Sequence, residues 1–315
     1  MSRLRQVISR NLAGYAFASP WLIGFFALMA FSMVASILLS MVEWNGINIS
    51  QIKWVGFDNY TKAFKDENFW IALKNTFYYS FISVPLTLTS ALILAVMLNQ
   101  KLKGISFFRT VFYMPHVIGG VATLMMWIWV FKPEFGLLSA FLRWCVEGPK
   151  ATGLASAEWR PQLPGWLYDP DWSKPSLIVI AAWQCGQAML LFLAALQNVP
   201  DHLYEAARID GAGKVQQFWY VTVPQISPVI FFNLVMGIIA SFQVFNQAYI
   251  VSNGLGGPSK SLLFYILYLY NKAFRDYEMG YASAMAWILF VIVLVFTMII
   301  LRSSKMWVYY EGEGS

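Results

Sequence analysis

Charge is what this chain has least of. Asp, Glu, Lys and Arg together make up 12% of its 315 residues, and 58% of them are hydrophobic; a soluble domain carries about twice that charge. The apolar residues stand in long uncharged runs and not at amphipathic spacing, which argues against a large soluble core and points to a bilayer. A formal net charge of +6 does not mark a nucleic-acid binder, because Lys and Arg sit at the edges of apolar runs and form no stripe. Cysteine is nearly absent. Cys145 lies in a polar loop and Cys185 inside an apolar run, so they outline neither a disulfide framework nor a metal-ligand spacing. The two histidines, His116 and His202, are far apart, and no HExxH or GxSxG is present. An intramembrane enzyme therefore has no visible constellation.

Acids are missing where an ion-driven carrier needs them. No Asp or Glu falls within the core of an apolar run, whereas proton- or sodium-coupled transport calls for a carboxylate or comparable site at depth. The same absence favours a neutral solute over a phosphate or polyamine, which would want Arg clusters or acids. A glycerol phosphate or other small polar compound stays open as an alternative.

What is present is six apolar windows of about 20 residues each: Ser19–Met41, Ile71–Leu98, Thr110–Phe131, Leu177–Leu196, Gln225–Val251 and Tyr281–Leu301. The first follows "MSRLRQVISR" but runs far past a cleavable signal, so it reads as a retained span. The stretch Ser261–Phe274 is too short to cross, and is expected to lie along the surface or re-enter. A short N-terminal segment (1–18), a transmembrane domain (19–301) and a tail (302–315) follow from these windows.

Arg3, Arg5 and Arg10, then Lys101, Lys103 and Arg109, occupy two segments that hold no acid. Positive charge beside spans marks the cytoplasmic side, so both termini and the loop 198–224 are expected inside. Residues 132–175 and 252–280 then form outer loops. The first is rich in Pro, Gly and Trp and suits a compact cap, with Trp159, Trp166 and Trp172 at headgroup level.

The loop 198–224 is the polar exception: "VPDHLYEAARIDGAGKVQQFWYVTVP". Asp201 serves as an N-cap, a short helix follows, and Gly211 stops it in a left-handed turn, with Gly213 as a second pivot. Ala206 and Ala207 leave the backbone approachable, while Glu205, Arg208 and Asp210 offer charges to an aqueous partner.

Glu205-Ala206-Ala207, Asp210-Gly211-Ala212, Phe218, Pro224 and Pro228 resemble the loop motif of permease subunits in binding-protein-dependent ABC importers. "WVGFDNYTKAFKDENFWIALKNTFYYS", "FFRTVFYMPHVIGGVATLMMWIWVFKPEFGLL" and "GLGGPSKSLLFYILYLYNKAF" are similar to segments of the carbohydrate-uptake branch, on the side of the maltose-type first permease subunit. The resemblance implies an all-α membrane protein of the type I ABC importer fold, whose elbow is a cytoplasmic coupling helix. It implies as partners a second permease subunit, two ATPase subunits and an extracytoplasmic solute-binding protein, in the inner membrane of a prokaryote. ATP and Mg would be held by the ATPase subunits, with no cofactor or metal in this chain. Against the largest members of that branch, no extra N-terminal spans and no big inserted outer domain are expected, which makes the 132–175 loop the candidate grip for the binding protein.

Polar residues inside the spans suggest where a solute passes. Gln184 and Gln187 are three apart, and Gln243, Asn246 and Gln247 recur at helical spacing, so each set is expected on one face looking inward. Amides can meet solute hydroxyls while Trp183, Phe242 and Tyr249 offer flat apolar faces, a mixture that suits sugars. Pro115-His116 and Gly119-Gly120 predict a kinked, cavity-lining third span. By resemblance, the sugar-contacting places fall near His116, Gly120, Gln184, Gln187, Gln243 and Asn246. "GLGGPSKS", Gly254–Ser261, imitates a phosphate-binding loop but has Ser259 where the second glycine belongs and follows no buried strand. Its glycines are expected to end the fifth span instead.

Overall fold

The computed structural model describes residues 14–100, 103–151 and 164–309. Arg3, Arg5, Arg10, Lys101 and Trp159 lie outside them. The chain divides into two compact units, one of residues up to Asp66 with Leu269–Phe290, the other of Glu67–Tyr268 with the stretch from Val291 onward.

The first unit begins with a long apolar helix, α1 (Gly14–Ser40), which contains a wide π-turn at Phe25–Ala30. It is followed by a two-stranded hairpin, β1 (Val42–Glu43) and β2 (Lys53–Trp54), and by α2 (Asp58–Lys65). A helix end leaves carbonyls without partners. Here Asn59 answers that need, its amide donating to the carbonyls of both Ser40 and Val42 at 2.9 Å. Gly280 lies against the Val42 carbonyl so closely that a Cβ could not fit. Lys62 pairs with Glu278 at 2.7 Å, and the Tyr281 hydroxyl donates to Asp66 at 2.8 Å.

The second unit is built around α3 (Glu67–Leu98), which packs on α7 (Ser173–Trp183), α8 (Gly186–Gln197) and α11 (Val223–Phe242). Its buried residues include Ala72, Ser80, Ser83, Ala91 and Ala95. Small side chains let helices approach where lipid supplies no hydrophobic drive. The last helix, α14 (Met279–Trp307), contributes its first part to the first unit and the remainder to the second.

Three of the expected spans are interrupted. The third consists of α4 (Ile105–Val117) and α5 (Gly120–Val130), bent by 98°. Pro115 is buried inside α4, and the chain turns just beyond it, where Ile118 and Gly119 are extended. The fourth is α7 and α8, bent by 42° at Gln184 and Cys185. The fifth begins with α10 (Lys214–Gln217) and a π-turn (Phe218–Thr222), continues as α11, and breaks at Gln243 before α12 (Asn246–Ser252). Gln184 with Gln187, and Gln243 with Asn246 and Gln247, therefore lie across a break in the helix.

The 132–175 loop contains a helix, α6 (Leu137–Ala151), on which Cys145 is exposed, so this cysteine is not in a loop. Trp166 is buried, with its indole nitrogen donating to Ser139 Oγ at 3.1 Å. It packs inside the protein instead of standing free for headgroups, whereas Trp172 stays 47% exposed.

After α12 the chain turns through Asn253, Gly254, Gly256 and Gly257, all with positive φ, so the glycines do end the span. The next stretch, with α13 (Tyr265–Tyr270), does not lie along the surface: Leu262, Leu263, Phe264, Tyr265 and Leu267 are buried. The Asn75 amide of α3 donates to the carbonyls of Lys260 at 2.8 Å and Leu263 at 3.1 Å, and the Tyr265 N–H donates to Thr76 Oγ1 at 2.9 Å. Side chains of a distant helix thus answer backbone groups of an irregular segment.

Candidate functional site: the elbow and the cleft

The elbow is α9 (Asp201–Ile209), entered from an extended Pro200. Asp201 is its first helical residue and makes no capping hydrogen bond, so it is not the N-cap. The exit follows the expected stop. Gly211 has φ +82°, its N–H donates to the Arg208 carbonyl at 3.0 Å, and the Ala212 N–H donates to the Ala207 carbonyl at 2.9 Å. This is the paired pattern of a Schellman turn. Gly213 is extended and starts α10, its N–H donating to Gln216 Oε1 at 2.9 Å. The second pivot is thus an extended residue at a helix start.

No residue of α9 is buried. Glu205, Ala206, Asp210 and Gly211 are exposed, while Ala207 and Ala212 are half-buried. Ile209 is 86% exposed and Val215 72%. The elbow thus presents charge, bare backbone and two large apolar side chains together, a combination suited to an interface.

A cleft of about 230 Å³ opens between α3, α7, α11 and α12. Gln184 and Gln247 line it with Tyr79, Ser83, Thr87 and Ser241. The breaks of the fourth and fifth spans thus each bring an amide to the same wall. Irregular backbone at membrane depth is tolerated where it lines a cavity or is buried in protein. Lys, Arg, Asp and Glu are absent from the lining.

The other candidates divide. Gln187, Gln243, Asn246, His116 and Gly120 are exposed and do not line the cleft. His116 stands beside Tyr113, with ring centroids 5.9 Å apart. Phe242 is buried, packed edge-on to Phe77 at 5.1 Å and stacked with Phe296 at 5.8 Å, so its ring serves helix packing and lies outside the cleft. Tyr79, Ser83 and Thr87 were not foreseen, although their spacing of four along an apolar span was a readable signal.

The signature of the family described as "Binding-protein-dependent transport system inner membrane component" matches residues 87–305. The chain belongs to that family. It is 42% identical to the probable ABC transporter permease protein YesP of Bacillus subtilis (strain 168), over 99% of this chain and 97% of that protein. The lactose transport system permease protein LacF of Rhizobium radiobacter is 33% identical over 90% of this chain and 91% of its own. Among solved structures, a bacterial ABC transporter involved in the import of the acidic polysaccharide alginate matches with a TM-score of 0.77 at 24% identity, over 96% of this chain and 99% of that one. This permease therefore has the fold of an ABC importer's membrane subunit.

Proposed function

We propose that this permease forms one half of the translocation path for a sugar or oligosaccharide, working by alternating access with a second permease subunit. The observation that carries this reading is the cleft, where amides and hydroxyls converge without a charged side chain. Such a lining exchanges hydrogen bonds with a polyhydroxyl solute and gives no fixed counter-charge to an ion. Its 230 Å³ falls below the roughly 300–1,000 Å³ of a complete small-molecule pocket, in keeping with a site finished by a partner. The names of relatives agree in class: one is a lactose permease, another an arabinooligosaccharides permease, a third serves diacetylchitobiose uptake.

The remaining roles belong to the same proposal. A solute-binding protein delivers the saccharide on the outer side, where residues 132–175 are the candidate grip. Two ATPase subunits hold ATP and Mg on the cytoplasmic side, where both termini lie. Glu205, Ala206, Ala207, Asp210, Gly211 and Ala212 dock there and carry ATP-driven closure into the spans. His116, Gly120, Gln187, Gln243 and Asn246, exposed on the isolated chain, face the path or the second subunit.

The test is uptake of labelled neutral and uronic mono-, di- and oligosaccharides into proteoliposomes that hold this chain with its encoded partners. ATP hydrolysis is measured alongside, with and without the binding protein, for native protein and Glu205→Lys. Stimulation by one saccharide-loaded binding protein, lost or uncoupled in the variant, is the expected result. Uptake that ignores ATP and follows an ion gradient overturns it.

A further inference from the structure

Between the elbow and the span that follows it the backbone leaves α-helical geometry for the π-turn Phe218–Thr222, a geometry frequent at functional sites. Leu203 and Tyr204 pack on the apolar cluster that includes Phe192, Leu196 and Ile226. Apolar packing is non-directional, so by itself it lets a short helix roll. A hydrogen bond fixes both distance and direction.

Among the described residues α9 makes one side-chain hydrogen bond: the Tyr204 hydroxyl lies 2.9 Å from Thr222 Oγ1. Thr222 is 5% exposed and also donates toward the Gln217 carbonyl at 3.4 Å. Threonine has a single hydroxyl proton, so with that proton on Gln217, Tyr204 is the donor. The Gln217 side chain in turn donates to the Ala212 carbonyl at 2.8 Å, and the Ala212 N–H donates to the Ala207 carbonyl. The chain of bonds closes on α9 and ties it to the last residue of the π-turn.

We propose that Tyr204 is a positioning residue that makes the elbow and the span after it move as one body, holding Thr222 across the π-turn. The proposal rests on the elbow's role as the coupling element and names the group through which its motion reaches the span. Without the bond, the elbow pivots at Phe218–Thr222 and its displacement is lost there.

The test uses the assembled complex with its encoded partners, in nanodiscs, with Cys145→Ser and Cys185→Ala and spin labels at His202→Cys and Met236→Cys. ADP, and ADP with vanadate, are the probes. In the native background the label distance is narrow and the same in both states. Tyr204→Phe and Thr222→Val each broaden it and make it depend on nucleotide, the native distance losing about five-fold in weight against displaced ones, as one neutral hydrogen bond dictates. The double variant is no worse than either single one. Thr222→Ser, which keeps the hydroxyl, behaves as native. Unchanged widths in both single variants, additive effects in the double, or a Thr222→Ser as broad as Thr222→Val overturns the proposal. A complex that fails to hydrolyse ATP speaks against the coupling role of the elbow, and the distance widths still decide the tie.

Discussion

Gln184 and Gln247 line one cleft, and each stands where a helix is interrupted: Gln184 closes α7 and Gln247 is the second residue of α12. Both side chains are half-buried, so their amides are held without being used up by the interior. Gln184→Ala and Gln247→Ala are each expected to raise the half-saturating solute concentration about five-fold, the worth of one or so neutral hydrogen bonds. ATP hydrolysis without solute should stay unchanged. Concentration-dependent uptake in proteoliposomes checks this; unaltered kinetics with lowered thermal stability would return both residues to helix packing.

Gly211 makes a separate prediction, because its constraint is purely one of backbone. Its φ is +82°, and a Cβ there meets nothing within 4 Å. Substitution therefore costs conformational energy alone, about 1 kcal/mol for Ala, less for Asn and more for β-branched residues. Proline cannot reach that φ and also removes the N–H given to Arg208. Coupling, read as solute carried per ATP hydrolysed, should fall in the order Asn, Ala, Val, Pro, with the spans still folded. Four equal ratios would refute the turn's role.

The six apolar windows and the elbow were legible because both signals are local: an uncharged run of sufficient length, and helix-stop chemistry at Asp210-Gly211-Ala212. The breaks were not. At Gln243 nothing marks an interruption in sequence, since the run stays apolar and lacks Gly or Pro there, and at Gln184 the neighbouring Gly186 was passed over in favour of one continuous helix. Pro115 and Gly119 announced the bend of the third span. The buried course of Leu262–Leu267 depends on Asn75 and Thr76, nearly two hundred residues earlier in the chain, and no local pattern reports such a partnership.

That partnership is itself testable. Asn75 is 6% exposed, donates to two carbonyls and accepts from Lys174 Nζ at 3.1 Å. Asn75→Leu leaves the Leu263 carbonyl and the Lys174 ammonium without this partner, while the Lys260 carbonyl keeps the Leu263 N–H at 3.1 Å, at about 1–3 kcal/mol for each group left buried and unanswered. Asn75→Asp restores a partner for Lys174 but turns an acceptor toward the Lys260 and Leu263 carbonyls, so it should not rescue. Protease sensitivity of the 253–275 segment and detergent-phase melting check both, and a stable Asn75→Asp would show that the lysine, not the carbonyls, sets the need.

Glycines near the broken spans separate packing from passage. A Cβ on Gly186 would stand 2.9 Å from the Phe112 carbonyl oxygen and 3.0 Å from Tyr113 Cα. Both are backbone atoms, so Gly186→Ala must push α4 away from α8, at about 1–3 kcal/mol for an overpacked contact. Because α4 carries Pro115 and His116 to the bend, uptake should fall even though Gly186 does not line the cleft. Gly120 is the opposite case: a Cβ there meets nothing within 4 Å, so Gly120→Ala should leave the melting of the purified chain unchanged. If Gly120→Ala nonetheless lowers uptake in the assembled importer, the loss arises where this chain meets solute or its partner, and a lowered melting temperature in the chain alone would assign Gly120 to packing instead.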